Sequence, residues 1–165
     1  MNNQLPTIKT HSAGLFDTVY TKKDLQLFYK EIDQLVDSMF KGQEELEEKM
    51  DKILSVDKKK NLFEYLKTSG VKPSSIISVK QELQKIKKMG DALPVVNLVL
   101  AVEPTYGIIK NISLWFTKRF GHKVIIDLSL ERKLLGGAFI SFNGLYKDYT
   151  LRTRVDKYFN RQRVA

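Results

Sequence analysis

"LERKLLGGAFISFNGLYKDYT", residues 130–150, decides how the second half of this chain is read. Gly136 and Gly137 interrupt an apolar run that resumes as Ala138, Phe139 and Ile140 and stops at Asn143-Gly144. Glycine inside a strand weakens it, through lost packing and backbone entropy, unless a bulge or a close backbone approach requires it. A phosphate-binding loop is one such requirement, but it needs glycines between a strand and a helix N-terminus, where amide hydrogens can meet phosphates. Here strand residues follow the pair, and no Lys-Ser or Lys-Thr does. The pair therefore predicts the start of a strand, at a bend where another backbone or helix comes close. Asn143-Gly144 is a strong hairpin signal, and "LYKD" after it predicts a brief returning strand.

Working toward the C-terminus, "YTLRTRVDKYFNRQR" predicts a last helix with Leu151, Val155, Tyr158 and Phe159 inside. Arg152, Arg154, Lys157, Arg161 and Arg163 fall on its outer faces. Working the other way, "HKVIIDLSL" alternates Val124, Ile126, Leu128 and Leu130 with polar or exposed partners, which predicts a half-buried strand. His122, just before it, reads as a solvated residue after a helix-ending glycine. Ile108, Ile109, Ile112, Trp115, Phe116 and Phe120 form a broad apolar stripe ending at Gly121, with Thr105 as N-cap. On that stripe Trp115 is expected in the core rather than stacking on a ligand. "VVNLVLAV" is short, β-branched and bounded by turn residues, and predicts a buried strand.

Before the composition break at residues 90–94 the pattern is helical. Leu25, Phe28, Ile32, Leu35, Val36 and Met39 recur at spacings of three and four, ending at Lys41-Gly42. "QEELEEKMDKILS" places Leu46, Met50, Ile53 and Leu54 opposite its carboxylates. A third helix is predicted to be capped by Asp57 and closed by Gly70. Pro73-Ser74-Ser75 opens a fourth, with Ile76, Val79, Leu83 and Ile86 as its seam. The expected class is α+β: a loose lead-in over residues 1–20, a small helical bundle over 21–89, and a small α/β domain over 95–165. That second domain should run strand, helix, strand, strand, helix.

Composition narrows the chemistry. The chain has no cysteine, which excludes disulfides and thiolate sites, and its two histidines, His11 and His122, lie far apart. No metal site, cofactor site or catalytic constellation is expected, and Glu44, Glu45, Glu47 and Glu48 read as a solvated face. No secretory signal or membrane-spanning run is read, so a soluble, cytoplasmic chain is expected. Of the net charge of +9, residues 110–165 carry 12 Lys/Arg against 4 Asp/Glu, a difference of +8. Such a footprint suits nucleic acid, an anionic surface or an acidic protein. Against nucleic acid, Tyr158 and Phe159 are needed by the apolar stripe, and no RNP, KH or helix-turn-helix pattern appears.

From "VNLVLAVEPTYGIIK" onward, the order of elements resembles the C-terminal domain of the F-type ATP synthase delta subunit, called the oligomycin-sensitivity-conferring protein in mitochondria. The matching segments are Lys118-Arg119-Phe120-Gly121, Val124-Ile125-Ile126, Leu134-Leu135-Gly136-Gly137, and Asp148-Tyr149-Thr150-Leu151-Arg152-Thr153-Arg154-Val155. The last corresponds to a family pattern Asp-x-Ser-x-Arg-x-Arg-Leu. The N-terminal part is shorter than the family's, and Glu131-Arg132-Lys133 stands where the family has Asp-Pro.

The resemblance implies a non-catalytic stator component without cofactor or metal. Gly121, Gly136, Gly137, Asp148 and Thr150 would be its structural motif residues. Its partners would be the alpha and beta subunits of the catalytic head and a b-type peripheral-stalk subunit. It would sit on the cytoplasmic side of the inner or cell membrane, touching the membrane only through the complex. Arg152, Arg154, Arg161 and Arg163 would steer an acidic stalk partner, and the seam Ile76, Val79, Leu83 and Ile86 could receive a partner helix, although core within the bundle is its expected use. The alternatives are a V-type E subunit, against which Gly42, Gly70 and Pro73 argue by breaking the long helix it needs, and a basic nucleic-acid-binding module.

Overall fold

The computed structural model describes residues 14–42 and 44–162, without the side chains of residues 157 and 159–162. His11, Arg163 and the side chains of Phe159 and Arg161 therefore lie outside the described residues. The chain divides into two units, residues 14–19 with 24–92 and residues 20–23 with 93–162. Helices precede a four-stranded mixed sheet, which is the expected α+β class.

The first unit is built from α1 (Lys22–Met39), α2 (Leu46–Ile53), α3 (Val56–Thr68) and α4 (Ile76–Asp91). The spacing of apolar residues on α1 places Leu25, Phe28, Ile32, Leu35 and Met39 on one buried face. Gly42 and Gly70, both at positive φ, follow α1 and α3, a backbone state that other residues adopt only with strain. Ser75 caps α4, its hydroxyl accepting from the Ser78 amide at 3.4 Å. The cap of α3 is Ser55 rather than Asp57, because the helix starts at Val56 and leaves Asp57 in its first turn. There the carboxylate still lies at the favourable end of the helix dipole.

Two further sequence readings change in this unit. Residues 14–20 are not loose: Leu15, Phe16, Val19 and Tyr20 are buried, and the Phe16 ring meets Phe28 edge-on at 6.1 Å. Gly90 is not a break either. It lies inside α4, where a Cβ would run into the Tyr29 ring and hydroxyl. That hydroxyl donates to the Lys87 carbonyl at 2.8 Å and contacts Asp91 Oδ1 at 2.8 Å, joining α1 to the end of α4. A small residue at position 90 is what lets this pair of helices approach.

In the second unit β1 (Val95–Leu100), α5 (Tyr106–Phe120) and β2 (Ile125–Leu130) form a parallel crossover. Then β3 (Ala138–Phe142) pairs antiparallel with the other side of β1, and β4 (Leu145–Asp148) returns beside it, giving the order β2-β1-β3-β4. The Asn143-Gly144 turn has positive φ at both positions, as a tight hairpin requires. Residues 20–23 belong to this unit. The Ile126 amide donates to the Tyr20 carbonyl at 2.9 Å, Thr21 bridges to Ile126, and Lys22 pairs with Asp127 at 3.0 Å. This strap covers the outer edge of β2.

The core of the unit sits at one end of the sheet, where Val96, Phe116 and Val124 meet Ile112, Phe120, Ile140 and Phe142. That placement corrects the reading of β2. Val124, Ile125 and Ile126 are all buried, whereas Leu130, paired with Leu100 at the far end of the ladder, is exposed. The last helix, α6 (Leu151–Gln162), also departs from expectation. Leu151, Val155 and Tyr158 are exposed instead of inside.

Candidate functional site

Four of the five family-motif residues converge at the joint between β3 and α6. Gly137 has φ +83°, and a Cβ there would fall on the Tyr149 carbonyl and come within 3.0 Å of Thr150 Cα. The backbone of residues 149–151 runs against the glycine pair: the Leu151 amide donates to the Gly136 carbonyl at 2.9 Å, and the Tyr149 amide to the Ala138 carbonyl at 2.8 Å. A Cβ at Gly136 would meet only the Leu151 side chain. Close backbone approach is thus the reason for Gly137, and the strand starts just after it.

Asp148 and Thr150 close the same joint from the other side. Asp148 Oδ1 accepts from the Thr150 amide at 2.8 Å, and Oδ2 accepts from the Thr153 hydroxyl at 2.5 Å. Thr150, only 2 % exposed, accepts from the Thr153 amide through its hydroxyl at 3.4 Å. Side-chain oxygens here satisfy helix amides that would otherwise lack partners. Thr153 is the member that motif reading missed, although its Thr-x-x-Thr spacing from Thr150 is that of a cap. The arrangement fixes the direction in which α6 leaves the sheet. Gly121 lies apart from it, at φ +75°, ending α5 with its amide donating to the Thr117 carbonyl at 2.9 Å.

The remaining candidates divide. Arg152 and Arg154 are exposed and form no ion pair among the described residues. The bundle seam is not open to a partner: Val79, Leu83 and Ile86 lie in the core of the first unit, and only Ile76 reaches solvent, at 39 %. Trp115, expected in the core, is 58 % exposed. Phe116 takes the core position, and Trp115, about 100° round the helix from it, faces outward. His122 corrects in the opposite sense. Its Nε2 is buried and its ring stacks on Phe120 at 6.1 Å, the chain turning back at Gly121.

The first unit carries a cavity of about 590 Å³ lined by Met39, Leu46, Phe63, Pro73 and Ile76 together with Glu44, Glu45 and Glu47. Lys52 bonds Glu44 at 2.5 Å and lowers its pKa, which keeps this carboxyl ionised. Lys59 holds Glu47 at 3.3 Å. Among the described residues no three His, Cys, Asp or Glu side chains group to hold a metal ion, and no helix is long and apolar enough to cross a membrane.

No family model matches the sequence. No curated protein matches it either. Among solved structures, a chain of the Toxoplasma gondii mitochondrial ATP synthase hexamer is similar at TM-score 0.34 and 14 % identity, over 94 % of this chain and 96 % of that one. An overlap that low carries no argument about fold or function.

Proposed function

We propose that this chain is a non-catalytic, delta-type stator subunit of an F-type ATP synthase, tying the catalytic head to the peripheral stalk. The observation that carries the reading is the joint between β3 and α6. The segments resembling the family, Leu134-Leu135-Gly136-Gly137 and Asp148-x-Thr150-x-Arg152, are distant in sequence yet form one anchor through backbone bonds and a cap. A stator works by stiffness. An anchor made of main-chain bonds and a glycine contact gives α6 a fixed direction without requiring a pocket. Exposed Arg152 and Arg154 then present positive charge to an acidic stalk subunit, which speeds encounter and selects the partner.

On this reading the helical unit meets the alpha and beta subunits of the head, and the sheet unit meets the b-type stalk. The protein is peripheral, on the cytoplasmic side of the membrane, and needs no cofactor or metal. The long continuous helix of a V-type E subunit is absent among the described residues, whose longest helix, α1, has 18 residues. The test is affinity purification of the full chain from native membranes at moderate salt. Recovery of ATPase alpha, beta and stalk subunits is expected. Recovery of nucleic acid without them would overturn the proposal in favour of a basic nucleic-acid-binding module.

A further inference from the structure

The two edges of the sheet are finished differently. Along β2 the edge is covered: the Ile126 amide donates to the Tyr20 carbonyl, and Thr21 bridges to Ile126. Among the described residues no strand pairs with the outer side of β4. Which of its main-chain groups face outward follows from the register. The Tyr149 amide donates to the Ala138 carbonyl at 2.8 Å, so in the antiparallel ladder Lys147 and Leu145, two and four residues earlier, also bond to β3. Gly144, Tyr146 and Asp148 alternate with them and aim their amides and carbonyls away from β3. The Tyr146 amide and carbonyl have no partner among the described residues. Such an edge, flanked by the exposed side chains of Leu145 and Tyr146, is a template for another strand.

We infer that this edge is self-complementary: a second copy of the chain pairs antiparallel along β4, about a twofold axis at Tyr146, and makes the two sheets continuous. Outward-facing residues must oppose outward-facing residues, so Gly144, Tyr146 and Asp148 of one copy meet the same three of the other. An axis at Lys147 would set two lysines directly opposite each other, which destabilises a pair. An axis at Leu145 would run the overlap into the Asn143-Gly144 turn. With the axis at Tyr146, Lys147 lies across from Leu145 of the second copy, its aliphatic stem over the exposed leucine, and Asp148 lies across from glycine. The Phe139 ring already stacks on Tyr146 at 5.9 Å, so pairing aligns both rings of each copy in one row. A strand of another protein would gain the same main-chain bonds. The match of Tyr146 to itself and of Leu145 to Lys147 is what selects a second copy. Four residues make a small interface, so the dimer is a weak one that forms at high concentration. The pairing does not rest on the stator reading.

The test is sedimentation of the full chain at moderate salt, which screens the repulsion between two chains of net charge +9. Between about 10 µM and 1 mM the mass should rise toward that of a dimer. Tyr146→Pro removes the outward amide without touching a bond to β3 and should leave a monomer throughout. Leu145→Lys, which sets lysine against Lys147, should weaken association about fivefold, and Leu145→Glu should strengthen it by a similar factor. Far-UV ellipticity checks that each variant is folded. The chain has no cysteine, so the register can be read from disulfides formed under mild oxidation. Tyr146→Cys should cross-link with itself, since a hydrogen-bonded antiparallel pair holds its Cα atoms about 5.5 Å apart. Lys147→Cys should cross-link with Leu145→Cys in preference to itself. A wild-type chain that stays monomeric, a dimer that survives Tyr146→Pro, or cross-linking without this preference overturns the inference. The first of these outcomes assigns the open edge to a strand of another protein.

Discussion

In the helical unit the apolar stripes of α1 and α4 are buried, from Phe28 and Ile32 to Leu83 and Ile86, whereas in the sheet unit α5 and α6 leave Trp115, Leu151, Val155 and Tyr158 in solvent. The two units are therefore held by different means. The first rests on side-chain packing, where each buried aliphatic group contributes about 1.5–3 kcal/mol. The second has a small core at one end of its sheet and relies on backbone anchors to place its last helix. Clustered apolar exposure beside cations marks surfaces made for partners. The comparison teaches that the helical unit is held by its own side-chain packing, whereas the sheet unit leans more on main-chain anchors.

The hardest test of that contrast is the glycine pair. Gly137→Val puts a branched side chain at φ +83° against the Tyr149 carbonyl, and neither can move without unmaking the bonds to α6. We expect a loss of about 4 kcal/mol or more, enough to release α6 and with it the retention of a stalk partner. Gly136→Ala meets only the Leu151 side chain, which is 46 % exposed and free to turn, so its cost should stay below about 1 kcal/mol. Urea unfolding of the two variants decides the matter. Equal effects would mean that the joint is not held by close backbone approach.

For the helical unit the corresponding perturbation is a cavity. Leu83→Ala removes a fully buried side chain and should cost about 2–5 kcal/mol, whereas Ile76→Ala, at the exposed start of the same seam, should cost well under about 1 kcal/mol. A large effect at Ile76 would show that packing extends to the end of α4. Within the sheet unit, the cap is a smaller perturbation than the glycine contact: Asp148→Ala removes two acceptors at the start of α6 and should cost about 1 kcal/mol. The readout is hydrogen exchange of the first α6 amides, which should quicken, while α1 amides keep their protection.

Much of this was legible from the residues. Helix positions, the hairpin at Asn143-Gly144, the caps at Ser75 and Thr105, and the bend at Gly137 all follow from local rules about backbone φ and apolar spacing. What was not legible depends on which neighbour arrives from elsewhere in the chain. Periodicity located the stripe of α5 but not its width, and so placed Trp115 inside. Gly90 reads as a helix stop until Tyr29 is seen to occupy the space above it. Residues 14–20 carry turn-forming composition, yet Leu15, Phe16 and Val19 pack, and Tyr20-Thr21 covers an edge of a sheet that begins at Val95. The candidate seam on α4 was visible as apolar, but a sequence does not distinguish a stripe awaiting a partner from one already buried.

The smallest expected effect separates the units by pH. Tyr29 and Tyr65 are both in the helical unit, and both have pKa values raised, first by burial and next by hydrogen bonding to a carboxyl, Asp91 for Tyr29 and Glu82 for Tyr65. A raised phenol pKa means that the folded chain keeps its proton where the unfolded chain has begun to release it. The stabilising contribution is therefore complete below the ordinary phenol pKa of about 10 and is lost as pH rises from there through the folded value. Tyr29 is part-exposed, so solvent screening keeps the effect modest. Urea unfolding between about pH 9 and 11 should show stability falling with pH, and Tyr29→Phe should make that fall shallower. Trp115 is the only tryptophan and lies in the sheet unit, so its fluorescence can be followed beside far-UV ellipticity, which is dominated by helix. If the alkaline loss is carried by the helical unit, the ellipticity midpoint moves to lower urea ahead of the fluorescence midpoint. If the two move together at every pH, the units unfold as one, and the difference between side-chain packing and main-chain anchoring does not separate their stabilities.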